Sequence, residues 1–283
     1  MGIIEAIKKG FSETSRLMNV VAVFFVFNVV VGLISLPLAN PARVGDPGIL
    51  TISFIVSIVF FLAFVFLQGG AMGLVKEQIK TGITSIANIF EYGKKFWTRI
   101  LWLLIFYIII TTVVVALLIM ASTGIMLIGD NIITRALVAF VIAVVGLTII
   151  TFLIYPVYTI VIEDEVVQAG VFSGCASAFN ALKRGISVAL ANFWITMALF
   201  LLMLIISLVI SLIVGLIVGV ITIPLPLALS QIVITIFNSA VQSYIPIVMM
   251  VAFMSFYMAL TSGLASSAPA APEEETPQGG EGM

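Results

Sequence analysis

Six long apolar runs dominate the chain, at 17–36, 49–75, 100–128, 132–162, 193–222 and 228–262, with short polar or mixed stretches between them. About 20 apolar residues in a helix cross the roughly 30 Å hydrocarbon core of a bilayer, so each run is long enough to span it. Three of the other stretches repeat apolar positions at the helical period. In 2–16, Ile3, Ile7 and Phe11 share a face, while Glu5, Lys8, Lys9 and Glu13 fall elsewhere. In 76–97, Ile79, Ile83, Ile86, Phe90 and Trp97 oppose Lys80, Thr84, Asn88, Glu91, Lys94 and Lys95. In 163–192, with Phe193 just beyond, the apolar set is Phe172, Cys175, Phe179, Leu182, Ile186 and Phe193. Such segments read as amphipathic helices lying on the membrane surface. The predicted fold class is all-α: a polytopic membrane domain over 1–263, with six transmembrane helices and three surface helices. Residues 264–283, rich in Ala, Ser, Pro, Gly and Glu, are predicted to be a disordered acidic tail.

Breakers and small residues refine these elements. Pro37 and Pro41 end the first run, and Pro224 and Pro226 end the fifth. Pro156, between Tyr155 and Tyr158, is expected to kink the fourth. At about 1.5 Å per residue the sixth run outreaches the bilayer, so Pro246 is expected to bend or divide it. Its alternative is an outer interfacial helix followed by a shorter span from Tyr244. Gly69 and Gly73 stand four apart near the end of the second run. In lipid that spacing lets helix backbones approach; a ligand-contacting backbone is the other reading. A signal peptide is the rival reading of the first run, which is longer than the usual signal core of about 7–15 residues.

Composition supports membrane residence and closes several chemical routes. The 283 residues are 62% hydrophobic and 9% charged, against about 25% charged in soluble domains. There is no histidine, so histidine catalysis and histidine metal ligation are excluded. The single cysteine, Cys175, rules out an internal disulfide. Ten of the twelve Lys and Arg fall in the three amphipathic stretches and their borders, leaving only Arg43 and Arg135 on the opposite side. The positive-inside rule then places both termini in the cytoplasm. The basic pairs Lys8-Lys9, Lys94-Lys95 and Lys183-Arg184 are candidate headgroup contacts as well as topology determinants.

The basic pairs also mark a repeat. Ala181-Leu182-Lys183-Arg184-Gly185-Ile186-Ser187 matches Ala6-Ile7-Lys8-Lys9-Gly10-Phe11-Ser12 at four of seven positions, and Phe90-Glu91-Tyr92-Gly93-Lys94-Lys95-Phe96-Trp97 is a looser copy. The chain thus reads as three tandem units, each a surface helix followed by a hairpin of two spans. Ile162-Glu163, then Ala178-Phe179-Asn180-Ala181-Leu182-Lys183-Arg184-Gly185 and Asn192-Phe193-Trp194, resembles a broad, uncharacterised group of six-span prokaryotic membrane proteins. That group is related to the membrane domain of glycerophosphodiester phosphodiesterases. The resemblance implies a six-span fold in a prokaryotic cytoplasmic membrane. It carries no catalytic motif, because the group's name derives from a soluble domain that these residues do not include.

The search for chemistry yields few candidates. No ionisable residue falls near the centre of a run, where it would be functional by default. That counts against a carrier using a buried carboxylate and against an intramembrane aspartyl protease. Glu163-Asp164-Glu165 is read as a solvated charge cluster, with divalent-cation binding as its sharper alternative. Cys175 is read as a small packed residue, with palmitoylation or redox sensing as the alternative. In the last run Gln231, Thr235, Asn238 and Gln242 share one helix face, with Ser239 and Ser243 beside them. They are expected to turn inward, as interhelical hydrogen bonds or as the lining of a polar cavity. No catalytic residue, metal or cofactor is assigned. Expected partners are membrane lipids and other membrane proteins, with no nucleic acid. Two functions remain: a non-enzymatic, lipid-contacting scaffold or partner subunit, and a small-molecule or lipid transporter.

Overall fold

The computed structural model describes residues 1–38, 47–128, 131–163 and 171–266. Helices α1 (Ile3–Arg16), α2 (Met18–Leu38), α3 (Pro47–Thr81), α4 (Ile89–Ile128) and α5 (Ile132–Leu153) come first. They are followed by α6 (Tyr155–Ile162), α7 (Val171–Ala191), α8 (Phe193–Thr222) and α9 (Leu227–Ser266). The protein is all-α, and among the described residues six helices are long and apolar enough to cross a membrane: Met18–Leu36, Pro47–Thr81, Ile86–Gly124, Ile132–Ile162, Phe193–Thr222 and Leu227–Ser262.

Burial is concentrated at one end of the molecule. There the start of α2, the end of α3, the start of α4, α6, α7 and the second half of α9 enclose Leu17, Leu74, Phe96, Ile100, Tyr155, Ile160, Phe256 and Tyr257. Beyond this packed end the helices separate. Phe54 in α3, Ile108 and Leu117 in α4, Phe140 in α5 and Leu208 in α8 are all exposed. The packed end also holds the three basic pairs. Hydrogen bonds join its elements directly, from Gln78 Nε2 to Glu13 at 3.0 Å and from Lys76 Nζ to the Val161 carbonyl at 2.6 Å.

The three most closely packed helix pairs are α3 with α4, α1 with α9, and α6 with α7. In each pair a glycine lets backbones meet. A methyl group on Gly10 would stand 2.9 Å from the Val248 carbonyl oxygen and 3.1 Å from Ala252 Cβ. One on Gly185 would collide with the backbone of Pro156. One on Gly70 or Gly73 would collide with Ile89 or Tyr92, and one on Gly93 would meet the Phe66 ring. Apolar attraction between helices is weak in lipid, so close van der Waals contact at small residues is an important source of cohesion.

Several expected elements take a different form. The stretch 76–97 is not one surface helix: α3 continues to Thr81, Gly82 turns the chain at φ 73°, a short 3-10 turn covers Ile86–Asn88, and α4 then runs on from Ile89. A left-handed residue ends a helix readily, and glycine adopts it without steric cost. The stretch 2–16 is helical, but α1 packs along α9 through Ala6, Ile7, Gly10 and Thr14. α9 passes Pro246 without dividing, and at 40 residues it is about 60 Å long. Pro156 does interrupt its run: α5 stops at Leu153 and α6 starts at Tyr155. A proline lacks the N–H that would continue the ladder, and the Tyr107 hydroxyl donates to the Leu153 carbonyl at 2.7 Å beside this break. The tail from 267 and the acidic pair Asp164-Glu165 lie outside the described residues.

Candidate functional site

The polar chemistry of the packed end converges where α4, α6 and α7 meet. The break before Pro156 and the absence of a side chain at Gly185 let α7 lie directly on α6. The buried face of α7 joins the small residues Gly174, Ser177, Ala178, Ala181, Gly185 and Ala189 to Val188 and to Leu182, among the described residues the one buried member of the expected apolar set. Gly174 meets Thr98 on α4. Phe179, expected on the apolar face, is instead 56% exposed, although its ring touches Phe106 edge-on. The side chain of Phe172 lies outside the described ones.

A polar cavity of about 180 Å³ remains between these helices, lined by Arg99, Thr159, Glu163, Ser177, Asn180, Ala181 and Arg184. Arg99 is 9% exposed and donates through Nε to Ser177 Oγ at 2.8 Å. Arg184 meets the Glu163 carboxylate through Nε at 2.9 Å. The same carboxylate oxygen accepts from the Tyr257 hydroxyl at 3.0 Å. That hydroxyl also lies 2.9 Å from Thr159 Oγ1. Tyr257 has one proton and gives it to Glu163, while the Thr159 hydroxyl also has the Tyr155 carbonyl as an acceptor at 3.2 Å. The chain of bonds then runs from α6 to α9 and back to the end of α6, where α7 is tied in by Arg184. A parallel link joins Tyr155 to Thr196 on α8 at 2.9 Å, and Thr196 donates onward to the Asn192 carbonyl. Charged groups in such a setting are stabilised only when paired and hydrogen-bonded, which both arginines achieve through fixed partners.

The face of α9 carrying Gln231, Thr235, Asn238 and Gln242 does not turn inward as a unit. Gln231, Asn238 and Gln242 are exposed, and Thr235 is half-buried. Thr235 packs on α2, where its methyl group would collide with a side chain at Gly32. Asn238 lines a cavity of about 150 Å³ with Ser211, Val214, Gly215 and Val218 of α8. The buried polar face is the neighbouring one. Ser239 and Ser243 are buried, and Asn28 of α2 donates to Ser243 Oγ at 2.9 Å. Asn28 also lines a groove of about 560 Å³ between α2 and α3 that includes Phe27, Ser35, Ser53, Ser57 and Phe60. Sequence reading did not single out Asn28. Its signal was an amide within an otherwise apolar run.

The headgroup candidates divide by environment. Lys8, Lys94, Lys95 and Lys183 are exposed, and Lys9 is half-buried. Lys95 Nζ sits 5.7 Å from the centre of the Phe96 ring. Arg184 differs from these in being drawn into the polar cavity. Cys175 is half-buried on α7. Among the described residues no group of three or more acidic or thiol side chains gathers into a metal-binding cluster. No family model, curated protein or solved structure matches the chain.

Proposed function

We propose that this integral membrane protein is a non-enzymatic, lipid-contacting scaffold or partner subunit of a prokaryotic cytoplasmic membrane. The observation that carries this reading is the contrast among the apolar helices. In the most apolar windows of the first five spans only 6 to 17% of residues are buried within the chain, against 61% in the last. The apolar windows of five spans therefore leave most of their residues in reach of acyl chains or of a partner's helices, whereas the last span is packed within the chain. The grooves between them are open along the bilayer, and apolar and aromatic side chains dominate the α2–α3 groove.

Within this reading the chain is a threefold pseudo-repeat. Each surface segment rests, through a glycine near its basic pair, on the second span of the unit before it, and α1 completes a ring by resting on α9. Both termini and the packed end are on the cytoplasmic side, as the basic asymmetry requires. The resemblance to the membrane domain of glycerophosphodiester phosphodiesterases belongs to the same proposal and supplies no activity.

A lipid or small-molecule transporter is the second reading. It is favoured by Asn28, Ser35, Ser53 and Ser57, which give the α2–α3 groove a polar lining inside apolar helices. Proteoliposomes containing fluorescent phospholipid separate the two, because dithionite bleaches only label in the outer leaflet. A scaffold leaves the inner-leaflet label intact while co-purifying with phospholipid in proportion to folded protein. Loss of inner-leaflet label in intact vesicles would replace the scaffold reading with lipid transport.

A further inference from the structure

The cavity between α4, α6 and α7 has a more polar wall than the α2–α3 groove or the α8–α9 cavity. Its volume, about 180 Å³, accommodates a tetrahedral oxyanion and the first atoms attached to it. Two guanidinium groups reach it from different helices, Arg99 from α4 and Arg184 from α7. Each is held through Nε, Arg99 by Ser177 and Arg184 by Glu163. For Arg184 the anchored Nε fixes the plane of the guanidinium, and its Nη edge matches the paired oxygens of a phosphate. The Arg184 side chain is 63% exposed, which opens that edge to the outside. The Asn180 amide and the Ser177 and Thr159 hydroxyls complete a lining able to donate to several oxygens. Glu163 brings a negative charge into the same space. It is held by both Arg184 and Tyr257, which leaves its acceptor capacity partly spent within the protein.

The level of the cavity narrows the ligand further. Arg99 immediately precedes the long apolar run of α4, and Glu163 immediately follows the end of α6. The cavity therefore stands where two spans leave their apolar runs, the depth at which lipid phosphates lie. We propose that this cavity binds a phosphate group, supplied by an anionic lipid headgroup or by free phosphate. The proposal deepens the lipid-contacting reading and rests on it only for the lipid source.

The test uses the full chain purified in detergent or held in nanodiscs. One arm measures, by native mass spectrometry, phosphatidylglycerol retained from a mixture with phosphatidylcholine. The other measures thermal stabilisation by inorganic phosphate against chloride at equal ionic strength. The variants are Arg184→Gln and Asn180→Leu, with Lys80→Gln, an exposed lysine outside the headgroup candidates, as a basic-residue control on the same end. Loss of one hydrogen bond to a charged group weakens binding about tenfold or more. Phosphatidylglycerol retention that falls by that order in both variants, and not in the control, assigns the cavity to a lipid headgroup. Phosphate stabilisation that disappears in both variants, with phosphatidylglycerol retention unchanged, assigns it to free phosphate. If Arg184→Gln fails to fold, the exposed Asn180→Leu decides alone. Retention and stabilisation both equal to wild type in Asn180→Leu and in any folded Arg184→Gln overturn the proposal. If no phospholipid of either class is retained, the lipid-contacting reading fails, while variant-sensitive phosphate stabilisation still upholds the cavity.

Discussion

Gly10 lies so close to α9 that a β-carbon on it would stand 2.9 Å from the carbonyl oxygen of Val248. That oxygen belongs to the backbone and cannot rotate away, so the contact requires glycine. Gly185 meets the backbone of Pro156 more tightly still. Gly185→Ala is expected to destabilise the protein by about 1–3 kcal/mol or more, and Gly10→Ala by somewhat less, since overpacking forces backbone shifts. Gly146→Ala meets nothing within 4 Å and is expected to be neutral or slightly stabilising through helix propensity. Thermal unfolding in detergent ranks the three. Equal midpoints would show that the glycine contacts do not hold the packed end together.

A second expectation concerns sidedness. With Cys175 replaced by Ala, single cysteines at Lys94 and Lys183 should react with membrane-impermeant maleimide only after the cell is permeabilised. Both positions are exposed on the packed end, so reagent access is not limited by burial. Labelling of intact spheroplasts from outside would invert the orientation.

The polar positions of α2 and α9 allow a third comparison. Asn28 and Ser243 share a hydrogen bond of 2.9 Å, whereas Gln231 and Gln242 are exposed. A double-mutant cycle on Asn28→Ala and Ser243→Ala is expected to return a coupling near the membrane average of about 0.6 kcal/mol. Gln231→Leu and Gln242→Leu should leave unfolding unchanged or raise its midpoint. Strong destabilisation by either leucine, with no coupling in the cycle, would restore the whole polar face to the interior.

A fourth expectation follows from the two contacts on Glu163. Tyr257→Phe removes one donor to the carboxylate and the hydroxyl that meets Thr159, at a cost of about 1–3 kcal/mol. Combined with Arg184→Gln it should be non-additive, because both side chains act on one carboxylate oxygen. Strict additivity in chemical or thermal unfolding would mean the two contacts are independent.

The six spans were legible because hydropathy averages over about 20 residues and tolerates local error. The apolar windows consequently overlap the expected runs, and the break near Pro156 appears where proline chemistry puts it. What averaging hides is which face packs. On α7 the bulky Phe179 drew attention by its hydropathy, yet apart from Leu182 and Val188 the buried face is made of small residues, Gly174, Ser177, Ala178, Ala181, Gly185 and Ala189. Small residues contribute little to an apolar pattern and much to close approach. Gln231 and Gln242 misled in the opposite way: regular polar spacing identified a face, but a face one position round, with Ser239 and Ser243, is the buried one. The cavity was illegible as a unit. Arg99, Glu163 and Arg184 come from three elements, and only the approach of α7 to α6 brings them together.

The docking of α1 against α9 joins a segment made early in translation to one made late. At about 5–20 residues per second, the interval between their synthesis is on the order of ten seconds or more. Throughout it the face containing Ala6, Ile7 and Gly10 has no permanent mate. A headgroup layer can shelter such a face in the meantime, which gives the mixed polarity of α1 a transient use that its final position conceals. Closure between distant parts of the chain also delays the last assembly step until α9 has been inserted. Truncated nascent chains lacking α9 should therefore accumulate with α1 accessible to protease, and quality control would meet the protein in that form.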